Sequence, residues 1–212
     1  MSPSRVVAFG EGAVLVELEQ RIDPAVAARA AAIADAWEAL GHGAAVPTYA
    51  AAVLRFDPLA LAPRDAESAA RELAARTPAP ASAATGRVVE IPTRYDGPDL
   101  AETAARSGLS VDELVRTHSH GEYHAYFLGF MPGFAYLGGL DPRVRAPRLG
   151  SPRARVPAGS VAVIDGQTAI YPFDSPGGWR LIGRTEARLF DPGADPPTLI
   201  RPGDTVRFRA IG

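Results

Sequence analysis

The chain has 212 residues, of which 47% are hydrophobic and 22% charged, and its formal net charge is −2. This composition is typical of a globular protein long enough to bury a core, and it argues against nucleic acid as the main partner, because phosphate binding usually shows as a basic excess. The sequence has neither cysteine nor lysine, which excludes disulfides, thiolate nucleophiles, Schiff-base lysines and a Walker-type phosphate loop.

The first residues lead directly into a strand-like pattern, without the basic and then apolar segments of a signal peptide. No apolar run approaches the roughly 20 residues that a membrane-spanning helix needs. We therefore expect a cytoplasmic protein that does not associate with membranes.

Residues 1–80 predict a small α/β layer domain. Arg5–Phe9 and Ala13–Leu18 have the pattern of a hairpin around a Gly-Glu-Gly turn. Asp23 is a typical N-cap, followed by proline and by one apolar stripe from Val26 to Leu40 that predicts a helix up to a glycine stop. Val46–Phe56 predicts one or two strands, and Asp65–Arg76 predicts a second helix. Two helices with three or four strands form a layered unit.

Residues 87–212 predict a second domain, in which two short helices precede a long region of strands and turns. The segment before it, Thr77–Gly86, is small, polar and proline-bearing, which indicates an inter-domain connection. The predicted elements are a strand at Arg87–Ile91, helices at Asp99–Ser107 and Val111–His118, strands and turns from Tyr123 onward, and a closing strand at Asp204–Ile211.

The segment H-S-H-G-E-Y-H raises the possibility of a metal site formed by His118, His120, Glu122 and His124. On an extended strand these alternate residues would share one face. A capping box nevertheless places His118 at a helix end, where histidine is also favoured by the helix dipole. We therefore expect no metal, and regard His118 as a hydrogen-bonding or acid–base candidate.

Aromatic, arginine and glycine residues are concentrated between residues 123 and 185. Phe130–Phe134 (FMPGF) predicts a turn that presents aromatic faces at a pocket wall or a partner surface. Arginines recur among prolines at 145, 148, 153 and 155, either as a solvated face or as a clamp for a carboxylate or phosphoryl group. Ser175–Trp179 (SPGGW) is either an anion-binding nest or only a wide turn.

These segments together resemble the B-subunit family of 5-oxoprolinase, also called Kip-inhibitor-like or allophanate hydrolase subunit 1-like. The resemblance is carried by His118 and then by LGFMPGFAYLGG, PRLGSPRARVPAGSVAV, IYPFDSPGGW, LIGRT and PGD-VRF, and it covers nearly the whole chain. It implies an α+β fold: a small N-terminal α/β layer domain followed by a cyclophilin-like β-barrel.

The family pattern and the chemistry of the side chains together predict which residues form the site. The predicted catalytic residues are His118, Arg148, Arg153 and Tyr171, with the arginines as a carboxylate or phosphoryl clamp and His118 or Tyr171 as the source of a hydrogen bond or proton. The predicted substrate-binding residues are Phe130, Pro132, Gly133, Tyr136, Ser160, Gln167, Gly177, Gly178 and Trp179.

The resemblance implies an enzyme subunit that acts with partner 5-oxoprolinase subunits A and C to open 5-oxo-L-proline to L-glutamate with ATP hydrolysis, and that is inactive alone. Because the chain has no recognisable nucleotide cradle, we expect ATP on a partner subunit. One alternative is a regulatory protein that inhibits a sensor histidine kinase. Another is a carboxyltransferase component related to urea carboxylase or allophanate hydrolase, which would need a separate biotin carrier.

Overall fold

A computed structural model describes residues 5–78 and 86–212 of the chain. Contacts divide the chain into two compact units, Met1–Ala84 and Thr85–Gly212. Most of the predicted connection, Thr77–Gly86, lies outside the described residues. No helix within the described ranges is both long and apolar enough to cross a membrane.

The first unit is an antiparallel sheet with two helices packed against it. Its elements are β1 (Arg5–Ala8), β2 (Ala13–Glu17), α1 (Pro24–Ala39), β3 (Ala45–Pro47), β4 (Ala51–Arg55) and α2 (Pro63–Arg76). The strand order is β1-β2-β4-β3, and every neighbouring pair is antiparallel. The predicted hairpin and both predicted helices of this region are confirmed.

Helix α1 shows why this unit folds as its sequence predicts. The side chain of Asp23 accepts hydrogen bonds from the backbone N–H groups of Ala25 and Val26, which would otherwise lack partners at the helix start. The apolar stripe continues to Trp37, which is fully buried and donates its indole N–H to the Arg55 carbonyl at 2.8 Å. Leu40, the last residue of the predicted stripe, lies beyond the helix and is exposed.

The second unit contains a long mixed sheet with two short helices. Its elements are β5 (Val88–Thr93), α3 (Leu100–Arg106), α4 (Val111–Ser119), β6 (Tyr123–Leu128), β7 (Ala135–Gly138), β8 (Arg153–Val156), β9 (Ser160–Ile164), β10 (Gln167–Ile170), β11 (Ser175–Gly177), β12 (Arg180–Arg184) and β13 (Thr205–Ala210). Seven strands follow the order β12-β9-β10-β7-β6-β13-β5, and β8 pairs with β11 separately. The predicted capping box at the start of α4 is present.

The two ends of the seven-stranded sheet meet, so that the sheet is nearly closed into a barrel. Arg94, directly after β5, and Arg184, at the end of β12, exchange two backbone hydrogen bonds of 2.8 and 2.9 Å. A sheet closed in this way has no long exposed edge that could pair with another chain. The mixed α/β class and the barrel-like second sheet are confirmed, while the cyclophilin-like assignment stays a prediction.

Side chains of the closed sheet form two separate apolar clusters, because successive residues of a strand point to opposite faces. On β9, Val161 and Val163 belong to the cluster that takes residues from all seven strands, which we call the barrel core. Ala162, between them, belongs to a second cluster on the other face. We call this second group the outer cluster; it consists of Phe134, Val156, Ala162, Ala169, Tyr171, Trp179 and Leu181. The candidate site lies on this second face.

Candidate functional site

A small pocket of about 200 Å³ opens beside the outer cluster. Its wall is largely aromatic and contains one arginine; it is formed by Phe130, Phe134, Tyr136, Arg148, Pro152, Tyr171, Pro176, Gly177, Gly178 and Trp179. Seven of the thirteen residues predicted for the site therefore line one pocket: Arg148, Tyr171, Phe130, Tyr136, Gly177, Gly178 and Trp179. An apolar wall with few polar groups is the usual composition of a small-molecule site.

Tyr171 is a buried residue of the pocket wall. Its hydroxyl oxygen accepts a hydrogen bond from the backbone N–H of Trp179, and burial raises the pKa of the phenol above its ordinary value despite that bond and the nearby arginines. Tyr171 is therefore protonated at neutral pH, and its O–H can donate to a ligand. A Cβ atom added at Gly177 would lie 2.5 Å from the hydroxyl oxygen, so that the glycine makes room for this group.

Arg148 is the cation exposed at the pocket. The aliphatic part of its side chain packs beside Gly178, where an added Cβ atom would lie 3.3 Å from Arg148 Cγ. The Leu149 N–H donates a hydrogen bond to the Gly178 carbonyl at 2.8 Å. Within the described ranges no carboxylate forms an ion pair with Arg148. Burial raises the pKa of the Tyr136 phenol above its ordinary value, and the charge of Arg148 opposes this rise. An arginine whose charge reaches two tyrosines in an aromatic pocket suits an anionic ligand.

Arg153 is held behind the pocket by a buried carboxylate. Its Nη2 donates to Asp99 Oδ1 at 2.6 Å, and Asp99 Oδ2 accepts the Leu181 N–H at 2.7 Å. Asp99 is 5% exposed, while Nη1 of Arg153 is buried and has no hydrogen-bond partner. Arg153 also lowers the pKa of Tyr171 electrostatically, so its charge reaches the pocket although it does not line it.

His118 lies on the other side of the sheet from Tyr171. Its Nε2 is 2.9 Å from the Thr168 hydroxyl, and Thr168 in turn donates to the Ala162 carbonyl at 2.9 Å. Because that hydroxyl hydrogen is already used, Nε2 carries the proton and donates, and Nδ1 accepts from the Tyr95 hydroxyl at 2.7 Å. His118 is fully buried, and burial lowers its pKa to about 3. This geometry gives His118 no access to the pocket, and its catalytic role stays a prediction.

The four other predicted binding residues also lie outside the pocket lining. Pro132 is exposed and Gly133 is buried in the turn after Phe130. The hydroxyl of Ser160 donates to the Pro157 carbonyl at 2.7 Å. Gln167 begins β10 while Tyr171 follows its end, and a spacing of four positions along the strand places them about 13 Å apart.

The histidines of the H-S-H-G-E-Y-H segment have separate partners. His120 directly follows α4, and its Nδ1 lies 2.8 Å from the Arg116 carbonyl oxygen, while Glu122 pairs with Arg207. The His124 ring packs edge-on against Tyr126. Among the described residues, no group of three or more histidine, aspartate and glutamate side chains could hold a metal ion.

Some residues of this region were not found by the sequence analysis. Asp99 was interpreted only as the start of a helix, yet its side chain pairs with Arg153, 54 positions away. Tyr95 and Thr168 were not connected with His118. Nothing in the local sequence signals these contacts, because the partners are 23 to 54 positions apart and meet only in the folded chain.

Similar proteins identify the family of this chain. The family model described as "Carboxyltransferase domain, subdomain C and D" matches residues 4–200. The chain belongs to this family. Curated relatives named as the B subunit of 5-oxoprolinase confirm the resemblance that the sequence motifs predicted. The Escherichia coli O157:H7 relative is 40% identical over 216 residues, covering 98% of this chain and 96% of the relative. The Bacillus subtilis relative is 52% identical over 128 residues, covering 59% of this chain and only 53% of the relative.

Solved structures show the same fold within longer chains. The crystal structure of TTHA0988 matches with a TM-score of 0.82 and 38% identity, over 94% of this chain and 40% of that one. The Kluyveromyces lactis urea carboxylase matches with a TM-score of 0.76 over 99% of this chain and 22% of that enzyme, at 16% identity. At that low identity, the likeness to urea carboxylase supports the fold alone.

Proposed function

We propose that this chain is the B subunit of an ATP-dependent 5-oxoprolinase that opens 5-oxo-L-proline to L-glutamate with subunits A and C. The names of its relatives support the enzyme class. The observation that carries the proposal is the aromatic pocket with Arg148 at its wall. In this proposal the barrel is cyclophilin-like, follows a separate N-terminal domain, and works in the cytoplasm.

The substrate's functional groups correspond to those of the pocket. 5-Oxo-L-proline has one carboxylate, one lactam carbonyl and a small ring. Arg148 supplies a guanidinium for the carboxylate, and the Tyr171 O–H supplies a hydrogen bond to the lactam oxygen. The volume of about 200 Å³ is below the roughly 300–1,000 Å³ of pockets for larger ligands, in keeping with a small metabolite.

We further propose that ATP binds to a partner subunit and that this chain is inactive alone. Lactam opening needs activation of a poor electrophile, and the sequence has no lysine with which to form a Walker-type phosphate loop. This chain then contributes pocket walls and the groups that hold the lactam, while the nucleotide is held elsewhere in the complex.

The experiment is ATP-dependent glutamate release from 5-oxo-L-proline, measured with this chain alone and with candidate subunits A and C. We expect turnover only in the full mixture, and a loss of at least tenfold with Arg148→Ala. Arg155→Ala is the matched control, because Arg155 is exposed and pairs with Asp174. Full turnover by Arg148→Ala would contradict the role of Arg148.

The other candidate functions are distinguished by the same mixtures. If all folded components together release no glutamate, the inhibitor of a sensor histidine kinase becomes the better hypothesis, and a pull-down against such kinases tests it. A carboxyltransferase role would instead require a biotin carrier for any activity, because this chain has no lysine to carry biotin.

A further inference from the structure

Phe130 has an unusual backbone conformation. It is the only non-glycine residue with positive φ in the described ranges 5–78 and 86–212, and its φ is 68°. In this region the Cβ atom crowds the carbonyl oxygen, which costs free energy for any L-residue and makes a bulky side chain a clear outlier. Such outliers concentrate where function needs them.

The contacts of the loop keep Phe130 in this conformation. The Gly129 N–H donates to the Phe134 carbonyl at 3.1 Å, and the Phe134 N–H donates to the Met131 carbonyl at 3.1 Å. Gly133 is tightly packed, because a Cβ atom added there would lie only 2.9 Å from the Phe190 Cβ atom. The turn is therefore fixed on both sides of Phe130.

Burial does not explain a phenylalanine at this position. Phe130 is 61% exposed, so its ring gains only part of the free energy that a buried aromatic side chain provides. Glycine would adopt the same φ without strain. The fold alone would thus be served better by glycine than by an exposed aromatic ring.

The ring of Phe130 instead forms part of the pocket. It stands edge-on to Tyr171, with centroids 6.4 Å apart and planes at 90°, and edge-on to Phe134 at 5.4 Å. Phe134 and Tyr171 are buried, whereas Phe130 is the exposed aromatic residue of the same wall as Arg148. The pocket thus has a buried aromatic base and one exposed ring at its opening.

We propose that Phe130 is a specificity-determining residue whose ring packs on the apolar face of a small cyclic carboxylate bound by Arg148. The strained turn holds the ring in place before the ligand arrives, so that little freedom is lost on binding. This inference deepens the proposed function by assigning ring recognition to one residue, and it rests on that function for the choice of 5-oxo-L-proline as probe.

The test is calorimetric titration of the full chain with 5-oxo-L-proline. We expect Phe130→Gly to weaken binding on the order of tenfold, and Phe130→Tyr to retain affinity within about twofold, because the aromatic contact is kept. Phe173→Ala is the matched control: Phe173 is also an exposed aromatic residue, but it packs against Phe190 outside this pocket, so affinity should be unchanged.

Two further measurements separate ring recognition from damage to the fold. The melting temperature of Phe130→Gly should stay within about 3 °C of the wild type, because the strain is relieved as the ring contacts are lost. N-acetylglycine has a carboxylate and an amide but no ring, and its affinity should not change with Phe130→Gly.

Three results would overturn the proposal: no binding to the wild-type chain, equal affinity of wild type and Phe130→Gly, or an equal loss for N-acetylglycine. Failure of the proposed function is a different result. A mixture with subunits A and C that releases no glutamate, while ring-dependent binding persists, would overturn the 5-oxoprolinase assignment and leave the role of Phe130 intact.

Discussion

Replacing His118 with glutamine should remove a large part of the protein's sensitivity to acid. In the folded chain His118 is fully buried, and burial lowers its pKa to about 3, whereas histidine in an unfolded chain has a pKa of about 6.5. Between these values the unfolded state binds a proton that the folded state does not. Stability due to neutral His118 is therefore complete above about pH 6.5 and is lost as the pH falls toward 3.

The size of the effect follows from the same two pKa values. One pH unit within the window corresponds to about 1.4 kcal/mol, so wild-type stability should fall by about 2 kcal/mol between pH 6.5 and pH 5 from this residue alone. The glutamine variant should lose about 2–4 kcal/mol at pH 7.5, because the hydrogen bonds to Tyr95 and Thr168 and the ring packing are disturbed. Its stability should then change less than the wild type's as the pH falls.

Urea unfolding at pH 7.5, 6.5, 5.5 and 4.5 measures this difference. The two tryptophans lie one in each unit, so a Trp37→Phe background leaves Trp179 fluorescence to report on the second unit. Carboxylates contribute equally to both proteins and cancel when the two curves are subtracted. His120→Gln, the same change at an exposed histidine directly after this helix, is the matched control. A constant difference between wild type and His118→Gln across this pH range would refute the reasoning.

Two further predictions concern the pocket's support. Asp99→Ala should lower the free energy of unfolding by about 3 kcal/mol, because the substitution leaves Arg153 without its buried partner. Chemical denaturation measures this loss. A loss below about 1 kcal/mol would show that water replaces the carboxylate. Gly177→Ala should weaken 5-oxo-L-proline binding at least fivefold in calorimetry, because the new Cβ atom displaces the Tyr171 hydroxyl. Gly150→Ala is the control, and it should bind as the wild type does, because an added Cβ atom there has no neighbour within 4 Å. Equal binding by both variants would contradict the role of Gly177.

Local signals predicted most helices and strands because their causes are themselves local. The Asp23 cap, the proline after it and the stripe ending at Leu40 act within one helix, and α1 begins and ends where they indicate, within one residue. The capping box of Ser110 and Glu113 likewise begins α4. Leu40 follows the last residue of α1 as its C-cap and is exposed, so the predicted apolar stripe extends one residue beyond the helix.

The candidate site was predicted only in part. The structure brings the aromatic and glycine motifs around Phe130, Tyr171 and Trp179 into one pocket, while their role in binding stays a prediction. Gln167 belongs to the same family pattern but lies at the far end of a strand from Tyr171. A motif shows which residues occur together in sequence, whereas their separation in space depends on the extended path of the strand.

The sequence by itself determined the family, the main helices and strands and the absence of lysine and cysteine chemistry. Only the tertiary structure decided which of those residues share a space. Thr168, which binds His118, and Tyr171 are three residues apart, yet they lie on opposite faces of the sheet because side chains alternate along a strand. Asp99 and Arg153 are 54 residues apart, yet they form an ion pair because the folded chain brings the segment after β5 beside β8. The alternation of side chains along a strand is a local property, but the pairing register of each strand is set by residues distant in sequence. The residues that line the pocket could therefore be identified only in the folded chain.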